Sequence, residues 1–268
     1  MLMSFPFLLT IVIAIYISTS LISLIFFVSP NKTLLKIYNS TLIFAFIFHT
    51  IILVIRTILL GHAPMASLFD SLLFYTWSVS LTASVMYLRY KEQTLALFVV
   101  MPVLLALVKA NQVSQEIREL SPSLQTLWFE THVGTSFIAY GLFTLGFSAG
   151  FLYLLKSRDK ARICRFISPL PVIEKLVYRS CAWGFFMFTI AMTCGGIWAY
   201  LAWCNYFIWT PKELFSVILW LYYSLYLHAR YTSGWQGKRS AYFACGGFFL
   251  MIFTYLGISL LMRSSHSF

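Results

Sequence analysis

Apolar residues in this chain come in long runs separated by short charged or turn-rich breaks. Eight such runs are read, at residues 5–28, 38–60, 68–88, 94–109, 131–155, 181–200, 213–230 and 241–262. About 20 apolar residues in a helix, at ~1.5 Å each, match a hydrocarbon core of ~30 Å. The pattern therefore predicts an all-α, polytopic transmembrane helix bundle of about eight helices. The fourth run is short and carries Pro102, so a tilted, kinked or partly spanning segment is expected there. The first run does not read as a signal peptide, because no basic residue precedes its core and the core is too long. No soluble domain, low-complexity tract or strong internal repeat stands out.

Composition agrees with the pattern. The chain is 60% hydrophobic, 19% aromatic and 10% charged, with a mean hydropathy of +0.83, far from the average of a soluble globular protein. The net charge of +11 needs a separate explanation. Of the nineteen Lys and Arg, fourteen fall in or beside the breaks after runs one, three, five and seven: Lys32, Lys36, Arg89, Lys91, Lys156, Arg158, Lys160, Arg162, Arg165, Lys175, Arg179, Arg230, Lys238 and Arg239. The remaining five are Arg56, Lys109, Arg118, Lys212 and Arg263. Positive charge stays cytoplasmic, so both termini are expected on the outer side. The charge then reflects topology and contact with anionic membrane lipid. No basic, aromatic-interleaved face of the kind nucleic acid needs is present.

This topology puts residues Gly196–Glu213 on the outer side. That stretch carries Trp198, Trp203, Phe207 and Trp209, followed by Pro211-Lys212-Glu213. His132, at the outer end of run five, and His266, just past run eight, come to the same level although 134 residues separate them. Haem iron takes axial imidazoles, and a porphyrin needs large apolar and aromatic faces around it. Plainer readings exist for each part. Tryptophans at helix ends commonly form an interfacial belt, and a lone interfacial histidine is commonly a satisfied polar group. Pro211, Lys212 and Glu213 also suit a helix start, with Pro in the first turn and Glu at the positive end of the dipole. Asp70 and Ser71 are expected to cap the third helix.

The stretch Trp203 to Glu213 resembles the tryptophan-rich "WWD" signature of the haem-handling proteins of cytochrome c biogenesis, the CcsA/ResC and CcmC family. Trp203, Trp209, Pro211, Lys212 and Glu213 match it, while Cys204, Phe207 and Thr210 stand where the family has Gly, Trp and Asp. Leu124–Val133, followed by Ala139-Tyr140, resembles the family segment around its first external haem-ligating histidine, which falls on His132. His266-Ser-Phe resembles the second such segment. Gly61–Ser71 resembles a G-H-x-P-x-x-x-L-x-E-S stretch, with Asp70 for the usual Glu. Tyr226–Arg230 and Gly237–Ala241 resemble the pattern after the aromatic motif. The matches divide the chain into N-terminal membrane helices, 1–60, and an assembly domain, 61–268.

The resemblance implies a function in System II-like cytochrome c biogenesis. Haem (b-type, non-covalent, in transit) would be ligated by His132 and His266 over Trp198, Trp203, Phe207 and Trp209, with Lys212 meeting a propionate. A second, intramembrane haem position falls on His228. His49 in the second helix is the deepest histidine, and His62 reads as a turn residue. The implied partners are a CcsB-like membrane protein and apocytochrome c, with this chain as the haem-delivery component of a cytochrome c synthase (haem lyase) complex. A bacterial plasma membrane is expected, with the thylakoid as the alternative. No residue is assigned as a catalytic nucleophile. No CxxC or CxxCH occurs among the five cysteines, so neither CxxC-type thiol exchange nor a covalent haem cytochrome is supported. Two rival readings are a transporter with intramembrane histidines and a structural subunit of a respiratory complex.

Overall fold

The fold is taken from a computed structural model, which describes residues 4–65, 67–90, 98–113, 115, 120–158 and 166–257. His266, Arg162, Cys164 and Arg263 lie outside the described residues. Within them the regular structure is helical: α1 (Ser4–Val28), α2 (Lys32–Leu60), α3 (Leu68–Tyr90), α4 (Val100–Gln112), α5 (Leu127–Arg158), α6 (Leu170–Trp203), α7 (Pro211–Ser233) and α8 (Lys238–Ile252), the last running into a π-turn at Phe253–Gly257. Six of these are long and apolar enough to cross a membrane: α1, α2, α3, α5, α6, and α8 with its π-turn. The 13-residue α4 is short, as its run suggests. The 23-residue α7 is diluted by polar and tyrosine residues.

Helix bounds differ from the apolar runs in a consistent way. α6 begins at Leu170, eleven residues before the run that announces it, and α2 begins at Lys32 rather than at 38. Hydropathy marks the part of a helix that lipid demands to be apolar. Capping and tertiary packing set where the helix ends. Asn31 caps α2 by accepting the Leu34 N–H at 2.8 Å, and Gly61 closes it in the left-handed region with its N–H on the Thr57 carbonyl. The extra turns at the start of α6 hold Glu174, whose carboxylate is bonded by the Arg230 guanidinium near the end of α7. Arg230 also lies 4.3 Å from the Tyr178 ring centroid and donates to the Trp235 carbonyl.

The chain folds into two compact units, residues 1–119 with 155–169, and residues 120–154 with 170–268. In the first unit α1 packs on α2 and α4, and α3 packs on the same two helices, so the four close on a shared core. Tyr16, Tyr38, Leu42, Ile52, Phe69, Leu72 and Tyr75 fill it. One end is stapled by a buried ion pair, Arg56 Nε to Asp70 Oδ1 at 2.9 Å, with the guanidinium 5.2 Å from the ring centroids of both Phe5 and Phe69. The cap of α3 is neither Asp70 nor Ser71, the two residues expected. Ser67 is the cap, accepting the Asp70 N–H at 3.0 Å and donating its hydroxyl to Asp70 Oδ2 at 2.6 Å. Asp70 is occupied by Arg56, and Ser71 donates to the Leu68 carbonyl inside the first turn. His49 is fully buried with Nδ1 3.4 Å from the Tyr16 hydroxyl, which lies 2.7 Å from Ser80 Oγ. His62 Nδ1 donates to the Ala63 carbonyl at 2.9 Å within its own turn.

In the second unit α6, α7 and α8 pack on one another, and α5 enters through small residues. Gly146 faces Cys181 of α6, Gly150 lies against the Ala241 backbone of α8, and Gly184 of α6 receives the Phe143 ring. In a membrane, where lipid is as apolar as leucine, such close backbone approach is a main source of helix association. Phe143 in turn stacks on Tyr223 of α7, centroids 3.8 Å apart and planes within 4°.

Candidate functional site: an imidazole seated against an aromatic cluster

His132 occupies the second turn of α5. That turn is started by Thr126, whose hydroxyl accepts the Phe129 N–H at 3.2 Å. The imidazole does not point along its own helix. It lies across the backbone of α6, with Nδ1 2.7 Å from the Ala191 carbonyl oxygen. A carbonyl only accepts, so Nδ1 carries the proton. In the neutral ring Nε2 then carries the lone pair, the form in which an imidazole nitrogen can bind a metal. The Trp198 ring lies nearly parallel to the imidazole, within 15°, with centroids 6.3 Å apart.

Trp198 is itself held on three sides. Its Nε1–H donates to the Ser123 carbonyl at 2.8 Å, ahead of α5, and Phe129 and Trp203 pack on it at centroid separations of 5.3 and 4.9 Å. The short 3₁₀ turn Pro122–Leu124, the start of α5 and the end of α6 thus meet at one tryptophan. Trp198 is buried while Trp203 reaches solvent or lipid. The cluster therefore has an inner anchor and an outer face.

Residues 204–210 form the loop between α6 and α7. Cys204 follows the last turn of α6 at φ 57°, with its N–H on the Tyr200 carbonyl at 2.8 Å. It is the left-handed residue that ends the helix, a position that glycine fills without strain. Tyr206 folds back to stack on Tyr200 at 4.6 Å, and Phe207 and Trp209 form an edge-on pair at 5.0 Å. Trp209 also takes a positive φ of 58° and is 73% exposed. A strained backbone that displays an indole outward points to a use for that ring.

The strain is held by a capping box. Thr210 accepts the Glu213 N–H at 3.3 Å, and Glu213 Oε2 accepts the N–H of Thr210 at 2.8 Å and of Ile208 at 3.2 Å. Pro211 fills the first helical position, and the helix start expected from Pro211-Lys212-Glu213 is in place. Thr210 stands where the resembled signature has Asp, and both are strong N-caps. Lys212, half-buried in the same turn, has its ammonium pushed down to about 8 by burial.

The structure brings His132, Trp198 and Trp203 together and joins Phe207 to Trp209 beside the Lys212 turn. It does not bring His228 to them. His228 lies sixteen residues along α7 from Lys212, or ~24 Å by helical rise, exposed beyond a stripe of Leu214, Ile218, Leu221 and Leu225. Among the described residues no cluster of three or more His, Cys, Asp or Glu forms a metal cage. The donor set here is instead a single oriented imidazole with aromatic rings around it, and that fits haem. Phe129, Ser123, Ala191 and Gly195, whose backbone lies against the His132 ring, were not foreseen. The capping signal Thr-x-x-Glu was readable, whereas the packing of His132 on a helix 59 residues away has no local sequence signal.

The cytochrome C assembly protein family model matches residues 65–266. The cytochrome c biogenesis protein CcsA of Guillardia theta is 34% identical, over 86% of this chain and 84% of its own length. CcsA proteins of Prochlorococcus marinus strain MIT 9515 and of Trieres chinensis are 32% and 30% identical, covering 81% and 92% of this chain and 78% and 90% of theirs. The family match takes in α3 to α8, His132 and the whole aromatic loop, and on that extent of similarity the chain belongs to the cytochrome C assembly protein family, among its CcsA-type members.

Proposed function

We propose that this integral membrane protein acts in cytochrome c biogenesis by holding haem at the outer membrane face and presenting it to apocytochrome c. The observation that carries the reading is the seat of His132. Its Nδ1–H is committed to the Ala191 carbonyl and its ring plane is set beside Trp198. An imidazole so fixed ligates iron through Nε2 without first losing rotamer entropy. Trp203, Phe207 and Trp209 supply apolar area for the macrocycle, and Lys212 supplies a cation for a propionate. His266 is the proposed second axial ligand.

Haem is the cargo here, bound non-covalently as b-type haem. The bonds it acquires are thioethers to the apocytochrome's own cysteine thiols. This chain's contribution is ligation, orientation and shielding of the iron, with no residue acting as a nucleophile. It serves as the haem-delivery component of a synthase complex with a CcsB-like membrane partner. His228, exposed on α7 beyond an apolar stripe, is the proposed ligand for haem within the membrane, facing that partner. The membrane is a bacterial plasma membrane or a thylakoid.

A reduced-minus-oxidised absorption spectrum of the purified protein tests this reading. It is expected to show the sharp α and β bands of a low-spin b-type haem. Protein that carries no haem, both as purified and after incubation with haem, would exclude it.

A further inference from the structure

We propose that Gly195 is a positioning residue for the iron ligand, holding His132 in place by having no side chain. This rests on the reading of His132 as a haem ligand and adds the part of α6 that makes it one. Ala191, Gly195 and Trp198 follow one another at i, i+4 and i+7, on one face of α6. The first gives the carbonyl that takes the Nδ1–H, and the last gives the ring parallel to the imidazole. Between them, a Cβ on Gly195 would stand 2.5 Å from His132 Nδ1 and 2.8 Å from Cε1. Those distances are below any real carbon contact, and the atoms they reach are a ring edge fixed by its own hydrogen bond.

The missing Cβ explains how the hydrogen bond forms. The Ala191 carbonyl already accepts the Gly195 N–H in the helical ladder, and its second lone pair is reached only by lying against the helix backbone at residue 195. Glycine alone leaves that surface open. The neighbouring Gly196 is a built-in control, since a Cβ there meets only the Tyr206 carbonyl oxygen, at 3.8 Å. Two adjacent glycines thus differ in kind: one makes room for the ligand, and the other tolerates a methyl group.

The test compares Gly195→Ala, Gly196→Ala, His132→Gly and the double variant Gly195→Ala/His132→Gly, all as full-length protein purified in detergent. Gly195→Ala is expected to lower haem retained per protein about 10-fold or more, the scale on which disturbing a ligand's outer partner acts, and to broaden the low-spin bands. Gly196→Ala is expected to match wild type. In haem-free protein, nitrogen NMR of His132 should report the Nδ1–H tautomer in wild type and its loss in Gly195→Ala. The double variant has no side-chain ring to clash with, so it should accumulate as His132→Gly does, whereas added imidazole, which takes the seat that the methyl group of Gly195→Ala invades, should restore its bands less well than those of His132→Gly.

Unaltered bands and tautomer in Gly195→Ala, with the bands lost in His132→Gly, would overturn the role of Gly195 and leave the haem reading intact. Unaltered bands in both variants would overturn both. If Gly195→Ala fails to accumulate, recovery in the double variant supports the steric account. Failure of the double variant as well would make residue 195 merely structural and refute it.

Discussion

At the scale of single residues, the three departures from the tryptophan-rich signature divide into two that the backbone explains and one it does not. Cys204 occupies a left-handed position that glycine fills at lower cost, so Cys204→Gly is expected to raise stability by roughly 0.5–1 kcal/mol. Thr210 reads from sequence as the lost acid of the motif and in the structure is the cap of α7. Thr210→Ala is therefore expected to cost about 1 kcal/mol and to loosen the Trp209 loop, while Thr210→Asp should be close to neutral. Thermal unfolding in detergent reads all three. Nothing in the structure explains why Phe207 replaces tryptophan. Lys212 adds a pH dependence. Burial lowers its ammonium to about 8, whereas the unfolded chain keeps the proton to about 10.5. Rising pH between those values therefore favours the fold by removing the penalty on the buried charge. Binding to a propionate runs the other way, because only the ammonium attracts it. Haem retention should fall between pH 7 and 9 in wild type and stay flat in Lys212→Gln, as equilibrium dialysis at stepped pH would show.

At the scale of elements, the sequence revealed that helices exist and roughly where, because lipid imposes one apolar requirement on every span. Apart from starts such as that of α7 at Pro211, it did not reveal their ends. α6 runs eleven residues further back than its apolar run, through charged positions that hydropathy counts as loop and that Glu174 makes useful by pairing with Arg230. It also did not reveal pairings such as Arg56 with Asp70, which join α2 to α3 across a turn. Both partners are buried, so removing one leaves an uncompensated charge. Asp70→Asn or Arg56→Met is each expected to cost about 3–5 kcal/mol, whereas an apolar double replacement should recover most of that loss. Protein accumulation in membranes and melting in detergent are the measurements, and equal loss in the double variant would show that the pair contributes something beyond charge balance.

At the scale of the molecule, the all-α membrane architecture was readable from hydropathy alone. Of the site, the sequence offered an outline, His132 and His266 level with the tryptophans; the structure brings His132 to Trp198 and Trp203, and His266 lies outside the described residues. The seat of His132 depends on a glycine and a carbonyl 59 or more residues away, and a pattern search along the chain does not see that. The basic bias predicts which side each loop faces: a tag beside Gly237 should report from the cytoplasm and a tag beside Asn205 from outside. A cytoplasmic Asn205 would move the aromatic platform away from apocytochrome c and end the presentation model. Ligation of haem by His132 can be read from the absorption spectrum of His132→Gly with and without added imidazole. The low-spin bands should be lost and should return in part when imidazole fills the vacated position. A His132→Gly protein that keeps the wild-type spectrum and haem content would contradict ligation by His132.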